Sequence, residues 1–372
     1  DEGNKDFTAQ FWNPSAPYIF KNQSPRLSDE PLLIYEAHVG MAQEKESVGT
    51  YKEFTTNILP RIKAGGYNAV QLMAVAEHPY YGSFGYHVSN YFAPSSRFGT
   101  PEDLKELVDE AHGMGLLVIM DLVHSHTVSN TNEGLNLFDG TDCLYLKPGK
   151  EGNHPQWDSK IFDYGNENTL RLLLSNICYW LEEYRFDGFR FDGVTSMLYL
   201  NHGLDTQFDT PEKYFGDNVD NDAVTYLQLA NALTHELNNE AITIAEDVSG
   251  MPGLTSSIAD GGIGFDYRLG MGLPDFWIKV LKDQPEEQWN MHEFFFTMTN
   301  RLPQVKTVAY AESHDQALVG DVTLAFRLMD KEIYTSMGKS EQNVVVDRGV
   351  ALHKMIRLFT IVLGGEAWLN FM

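Results

Sequence analysis

The sequence contains few cysteines and few basic residues for its length. Only Cys143 and Cys178 occur among 372 residues, which is too few for the disulfide framework of a small secreted domain. The 27 lysines and arginines are outnumbered by 52 aspartates and glutamates, so the formal net charge is −25. This charge repels phosphate groups, and we therefore expect neither nucleic acid nor an anionic lipid surface as a partner.

Long hydrophobic runs are absent as well. No apolar run approaches the roughly 20 residues that cross a bilayer, and residues 1–6 have neither the basic lead nor the apolar core of a signal peptide. We therefore expect no membrane partner and a cytoplasmic location, with a plastid as the alternative for a plant-like source. The first residue is not methionine, and we expect residues 1–31 to be a linker from an N-terminal domain.

Apolar runs alternate with segments of helical period, which is typical of βα units around a parallel sheet. The predicted strands are Leu32–Val39, Ala69–Met73, Leu116–Val123, Phe186–Asp192, Ala241–Glu246, Gly264–Arg268, Thr307–Ala311 and Ala367–Phe371. The predicted helices are Thr50–Ala64, Pro101–Met114 with Thr100 as its cap, Thr169–Tyr184, Ala223–Asn238, Asp275–Lys282 and Gly349–Val362. This order predicts an α/β fold, a closed (β/α)8 TIM barrel over residues 32–372. An open doubly wound sheet is the alternative, although no Gly-x-Gly-x-x-Gly follows the first strand.

One predicted connection is much longer than an ordinary βα loop. Residues 124–167 follow the third strand and are rich in Asn, Gly, Asp and Pro. We predict a long excursion domain here, above the face of the barrel that carries active sites. The sequence ends at Met372, at the end of the eighth predicted strand, so we expect no closing helix after strand eight in this chain.

Three acidic residues, Asp192, Glu246 and Asp315, lie at or just past the C-terminal ends of predicted strands. Carboxylates at this end of a parallel barrel can converge on one bond, and converging carboxylates carry out glycoside transfer. Arg190 shares a strand face with Asp192 and favours its ionised form, which suits a nucleophile. Neighbouring carboxylates and partial burial raise the pKa of Glu246, which suits a general acid/base. Asp315, preceded by His314, is a second anion able to accept hydrogen bonds from sugar hydroxyls.

These residues belong to longer motifs. In order, the segments Asp121–His126, Gly188–Met197, Ala245–Pro252 and Glu312–Ala317 resemble the four sequence regions of the α-amylase superfamily, glycoside hydrolase family 13. The last three of these segments, together with Tyr35–Met41 and Gly85–Val88, are similar in sequence to eukaryotic-type glycogen and starch branching enzymes. The resemblance implies that Asp192 is the nucleophile, Glu246 the acid/base and Asp315 the transition-state stabiliser. It further implies that the substrate is contacted by Tyr86, Asp121, His126, Arg190 and His314.

The resemblance also implies an activity. It predicts a retaining glycosyltransferase that moves an α-1,4-glucan segment to a glucose 6-hydroxyl and forms α-1,6 branches in glycogen or starch. An α-glucan polysaccharide is then the partner, and no cofactor is needed. An α-amylase-like hydrolase uses the same three carboxylates, and motif spacing does not separate the two activities. A non-catalytic glucan-binding barrel is a third reading, but it predicts the loss of at least one carboxylate.

A metal site is not expected. Calcium-dependent amylases commonly have an asparagine ligand at the position of Ser125, and His124 and His126 have no third ligand at a suitable spacing. The aromatic residues Tyr80, Tyr81 and Trp157 are either glucan platforms or packing residues. Full-length relatives in the family carry an N-terminal β-sandwich and a C-terminal all-β domain, and the resemblance implies that this chain is a catalytic-core fragment.

Overall fold

A computed structural model describes residues 9–27, 30–302, 304–320 and 322–372. Eight parallel strands close into a barrel, in which each strand pairs with its neighbours in sequence and the first pairs with the last. These strands are β1 (Leu33–Ala37), β2 (Ala69–Leu72), β3 (Leu117–Leu122), β4 (Gly188–Phe191), β5 (Ile242–Ala245), β6 (Tyr267–Leu269), β7 (Thr307–Ala309) and β8 (Ala367–Phe371). The predicted (β/α)8 barrel is confirmed, and the open-sheet alternative is wrong.

The barrel closes through residues that alternate between its interior and its outer face. Leu33 of β1 lies opposite Trp368 of β8, and Ile34 lies opposite Leu369. Ile34 and Leu369 are buried inside the barrel with apolar residues of the other strands, which gives the period of two expected of a strand. Strand β6 begins three residues later than predicted, and Gly264, the predicted first residue, has a φ of +93° that does not fit an extended strand.

The six predicted helices are present, although the last begins five residues earlier than predicted, and Met291–Thr299 is a further helix that was not predicted. Residues 51–64 are helical throughout, as Tyr51–Glu53, the π-helical Phe54–Ile58 and Leu59–Ala64. The other long helices are Pro101–Gly113, Glu167–Glu183, Asn221–Leu237, Gly272–Asp283, Met291–Thr299 and Val344–Leu363. Shorter helical segments are Val194–Leu198, Pro211–Phe215, the π-helical Asp315–Gly320, Leu324–Met329 and Glu332–Thr335. Across the described ranges, no helix combines the length and apolar character needed to span a membrane.

The predicted cap at Thr100 is present. The Thr100 hydroxyl accepts a hydrogen bond from the Asp103 backbone N–H at 3.2 Å, and the Asp103 carboxylate accepts one from the Thr100 N–H at 3.0 Å. This reciprocal pair satisfies two backbone donors that the first turn of a helix would otherwise leave without partners. It explains why the helix begins at Pro101.

Two small antiparallel sheets lie beyond the carboxyl ends of the barrel strands. After β2, Ala76–Glu77 pairs with Asn90–Pro94, and after β3, His126–Val128 pairs with Ser159–Ile161. The second sheet lies within residues 124–167, for which an excursion domain is predicted. Its paired strands hold both ends of this long segment near the mouth of the barrel, while its standing as a separate domain stays a prediction.

The N-terminal segment is fastened to the barrel through the buried side chain of Asp109. The Asp109 carboxylate accepts hydrogen bonds from the backbone N–H groups of Lys21 at 2.9 Å and Asn22 at 2.8 Å, and from the Tyr18 hydroxyl at 3.0 Å. Farther along, the Ser24 hydroxyl donates to Asp187. Burial alone would raise the pKa of Asp109, but the N–H donors of the segment outweigh burial and hold that pKa below its ordinary value.

We expect Asp109→Ala to lower the free energy of unfolding by about 2–3 kcal/mol at pH 7, because three partly buried hydrogen bonds to a charged acceptor are lost. A carboxyl with a lowered pKa stabilises the fold above its ordinary pKa of 3.8 and ceases to do so as the pH falls below it. The difference between the two proteins in urea unfolding should therefore shrink in acid. Glu106→Ala on the same helix is the control, and an equal loss in both variants would contradict the account.

Candidate active site

The three predicted carboxylates all lie at the carboxyl end of the barrel. Asp192 directly follows β4, Glu246 directly follows β5, and Asp315 begins the π-helical segment that follows β7. The first two are fixed by the sheet itself, because the Asp192 N–H donates to the Leu122 carbonyl at 3.1 Å and the Glu246 N–H donates to the Phe191 carbonyl at 3.1 Å. Each of these carboxylates thus extends a rigid strand rather than a free loop.

The Arg190 guanidinium joins three carboxylates at the centre of the site. Its Nη1 lies 2.7 Å from Asp192 Oδ1 and 3.3 Å from Asp121 Oδ2, and its Nη2 lies 3.2 Å from Glu246 Oε2. Arg190 is only 1% exposed. A buried guanidinium requires compensating charge. Burial lowers the pKa of Arg190, but the surrounding carboxylates outweigh burial and hold the pKa well above its ordinary value.

Glu246 has the electrostatic environment of a proton carrier. Burial raises the pKa of its carboxyl, Arg190 opposes the rise, and the negative charges of Asp192 and Asp315 add to it, with a result of about 7. The Gly193 N–H donates to Glu246 Oε2 at 2.7 Å and holds the carboxyl in place. Glu246 can therefore both hold and release a proton near neutral pH.

A second group of predicted residues surrounds Tyr86. Its hydroxyl donates to Asp121 Oδ2 at 2.6 Å, and its carbonyl accepts the Nε2–H of His126 at 2.8 Å. Asp121 is fully buried; burial raises its pKa and Arg190 opposes the rise, with a result of about 7. The Tyr86 ring stacks on His314, with 5.0 Å between ring centroids and an interplanar angle of 14°.

His314 connects this group to the third carboxylate. Its Nε2 lies 3.3 Å from Asp315 Oδ1, and the Asp315 side chain is 41% exposed at the mouth of the barrel. The structure therefore brings all eight predicted site residues into one connected network. No predicted member lies at the opposite end of the barrel.

Sequence reasoning missed several residues that support the site. Glu36 on β1 is 1% exposed and binds His314, and Ser125 lies between His126 Nδ1 at 2.9 Å and Asp192 Oδ2 at 3.3 Å. Because His126 Nε2 carries the hydrogen, its Nδ1 is an acceptor, and it competes with Asp192 for the single hydrogen of the Ser125 hydroxyl. The sequence did contain a signal for Glu36, because it is an acidic residue within an apolar strand. If such a side chain points inward, it needs a hydrogen-bonding or charged partner.

The buried Asp247 fixes the loop that follows Glu246. Its carboxylate accepts hydrogen bonds from the Thr195 hydroxyl at 2.7 Å, the Ser249 hydroxyl at 2.6 Å and the Gly250 N–H at 2.9 Å. The Arg268 guanidinium donates to its carbonyl at 3.0 Å. These hydrogen bonds of Asp247 limit movement of the backbone next to Glu246.

The residues considered for a metal site are committed to other partners. His124 places Nδ1 against the Tyr226 hydroxyl and Nε2 3.0 Å from Asn176 Oδ1, so neither nitrogen faces Ser125 or the cleft. Elsewhere in the described ranges, one set offers three ligand atoms within 4.8 Å, namely Glu36, Asp121 and His314. Within this set Glu36 binds His314 and Asp121 Oδ2 binds Arg190, whose positive charge opposes a cation there.

The three aromatic candidates differ in their surroundings. Trp157 stacks on His154 with 3.8 Å between ring centroids and lies 5.0 Å from His126. Tyr81 packs edge-on against the buried His38, at 5.6 Å, whereas Tyr80 is 59% exposed. The packing interpretation therefore fits Tyr81, and Tyr80 keeps a ring available at the surface.

Comparison with known proteins agrees with this geometry. Residues 41–161 match the family model described as the alpha amylase catalytic domain. The chain is 58% identical to a 1,4-alpha-glucan-branching enzyme of Yarrowia lipolytica over 98% of its own length, and 56% identical to that of Equus caballus over 100%. The chain belongs to the α-amylase superfamily. It spans about half the length of these curated relatives, 55% and 53% respectively.

Solved structures support the same fold at much lower identity. Eubacterium rectale Amy13B superimposes with a TM-score of 0.64 at 16% identity, covering 94% of this chain and 67% of its own. An alpha-amylase from Lactobacillus plantarum gives a TM-score of 0.60 at 17% identity, covering 91% of this chain and 70% of its own. At such identities the likeness establishes the barrel architecture only.

The environment of Glu246 gives a prediction that needs no substrate. We expect its carboxyl to titrate near pH 7, and Asp192→Asn to lower that pKa because a neighbouring negative charge is lost. Carbon-13 NMR of protein labelled at glutamate carboxyls measures both, with Glu246→Gln to assign the signal. A Glu246 signal that titrates near 4.5 in the unmodified protein would contradict the account.

Proposed function

We propose that this chain carries the catalytic site of 1,4-α-glucan branching. The main support is its identity of 55–58% to branching enzymes over almost its whole length, combined with a connected network of eight side chains at the barrel mouth. The proposed substrate is an α-1,4-linked glucan, and the proposed product is a branched glucan such as glycogen or starch. The two cysteines are free thiols, which is consistent with the cytoplasmic location that we propose.

The first half of the reaction breaks the glycosidic bond of the donor glucan and forms a covalent bond between enzyme and sugar. Asp192, whose Oδ1 accepts a hydrogen bond from Arg190 Nη1 at 2.7 Å, attacks the anomeric carbon of the donor glucan. Glu246 gives its proton to the departing 4-oxygen as the carbon–oxygen bond breaks. The products are a covalent glycosyl ester on Asp192 and a shortened glucan whose reducing end is unchanged.

The second half reverses the proton transfer. Glu246, now ionised, takes the proton from a 6-hydroxyl of an acceptor chain, and this oxygen attacks the anomeric carbon and releases Asp192. Asp315 and His314 face the same sugar and offer an acceptor and a donor for its hydroxyls. Tyr86, whose ring stacks on His314, offers an aromatic surface on which the sugar stacks. In the alternative, α-amylase-like reaction, water takes the place of the 6-hydroxyl.

Product analysis separates the proposed activity from its alternatives. Protein containing this chain should convert amylose to a product with α-1,6 linkages, seen as new anomeric NMR signals, without a matching increase in reducing ends. Asp192→Asn is the control and should lower the rate by a factor on the order of 10³ or more while keeping the melting temperature. Reducing ends without α-1,6 linkages would indicate a hydrolase, and no turnover with normal glucan binding would indicate a binding barrel.

A further inference from the structure

The carboxylate of Glu36 is buried beneath the candidate active site, and both of its oxygens contact His314. Its Oε1 lies 2.8 Å from His314 Nδ1, and its Oε2 accepts the His314 backbone N–H at 3.2 Å. Gln71 also donates its amide to Oε1, at 3.3 Å. Glu36 comes from β1 and His314 from the segment after β7, so the pair joins two strands on opposite sides of the closing strand β8.

We propose that Glu36 is a positioning residue that holds His314 as a doubly protonated imidazolium, so that the ring serves the sugar as a hydrogen-bond donor and not as a base. The pairing itself is independent of the reaction, but its use for a sugar rests on the proposed function. Glu36 touches neither the cleaved bond nor the sugar, and it acts through His314.

The cost of burying charge supports this assignment. A carboxylate that is 1% exposed is unfavourable beside a neutral ring and favourable beside a cation. Burial alone would lower the pKa of His314, but Glu36 outweighs burial with help from Asp315, and the pKa rises to about 9. The pKa of Glu36 is correspondingly lowered: burial opposes ionisation, and the charge and hydrogen bonds of His314 overcome it.

Charged and titratable groups face His314 from every neighbouring element. They are Glu36 from β1, His38 after β1, Tyr86 after β2, Asp121 from β3, Arg190 from β4 and the adjoining Asp315. The positive charge of Arg190 lowers the pKa of His314, so the two negative neighbours Glu36 and Asp315 are needed to keep the ring protonated. The flat Tyr86 ring face also favours a cation stacked on it.

The arrangement has a direct use at the sugar. With Nδ1–H held by Glu36, the remaining N–H at Nε2 faces the cleft, 3.3 Å from Asp315 Oδ1. A charged donor therefore stands next to a charged acceptor, which suits a pair of adjacent hydroxyls on one pyranose ring. A neutral ring with its hydrogen on Nδ1 would instead point a lone pair at Asp315 and lose the donor.

Glu36→Gln tests the inference without reference to turnover, because glutamine keeps the size and the acceptor oxygen but removes the charge. In protein labelled with nitrogen-15 at histidine, the His314 ring should titrate near pH 9 in the unmodified chain and below its ordinary value of 6.5 in Glu36→Gln. His314→Gln assigns the signal. Glu36→Asp keeps the negative charge and should recover part of the raised pKa of His314. Gln71→Leu removes the other hydrogen-bond partner of Glu36 but leaves Glu36 itself, and His314 should titrate there as in the unmodified chain.

Activity provides the second measurement. Glu36→Gln should lower kcat/KM by about tenfold or more at pH 8, as the loss of a charged donor does. The loss should become smaller once the pH falls below the lowered pKa of the His314 ring, because the ring then regains its proton. The inference is overturned if His314 titrates near 6.5 in the unmodified chain, or if Glu36→Gln leaves its titration unchanged. A shifted titration in a protein that forms no α-1,6 linkages would support the pairing and refute the proposed function instead.

Discussion

A buried positive charge surrounded by carboxylates is the constraint on which the candidate site depends. Arg190 is 1% exposed, so its charge cannot be solvated by water and has to be balanced by Asp121, Asp192 and Glu246. These carboxylates in turn would be unstable next to each other without Arg190. Arg190 contacts all three carboxylates at 2.7–3.3 Å, and for that reason the positions and charges of the four residues are coupled.

The barrel brings these charged side chains together because adjacent parallel strands end at the same edge. Arg190 lies opposite Asp121 on β3 and Ile244 on β5, so the guanidinium reaches acidic groups on either side of its own strand. Different surroundings give Asp192 and Glu246, two carboxyls of similar chemistry, different roles. Asp192 accepts from Arg190 at 2.7 Å, whereas burial and neighbouring negative charges raise the pKa of Glu246 to about 7. One group is suited to attack and the other to proton transfer.

Much of this was predictable from the sequence, and the remainder depends on contacts between distant segments. The alternation of apolar runs with helical periods was enough to locate all eight strands, and strand ends were enough to place Asp192 and Glu246 on one face. The bond between Glu36 and His314 joins residues 278 positions apart, and it exists only because the barrel closes through β8. The positive φ of Gly264, which lies outside β6, is a backbone property that no hydrophobic pattern reveals.

The central claim is that Asp192 forms the bond to the sugar while Glu246 carries the proton. Incubating the protein with a 5-fluoro-α-glucosyl fluoride, which slows breakdown of a glycosyl ester, followed by proteolysis and mass spectrometry, tests this claim most directly. The account predicts a single glucosyl adduct on the peptide that contains Asp192. An adduct on Glu246 or Asp315, or the same labelling of Asp192→Asn protein, would contradict it.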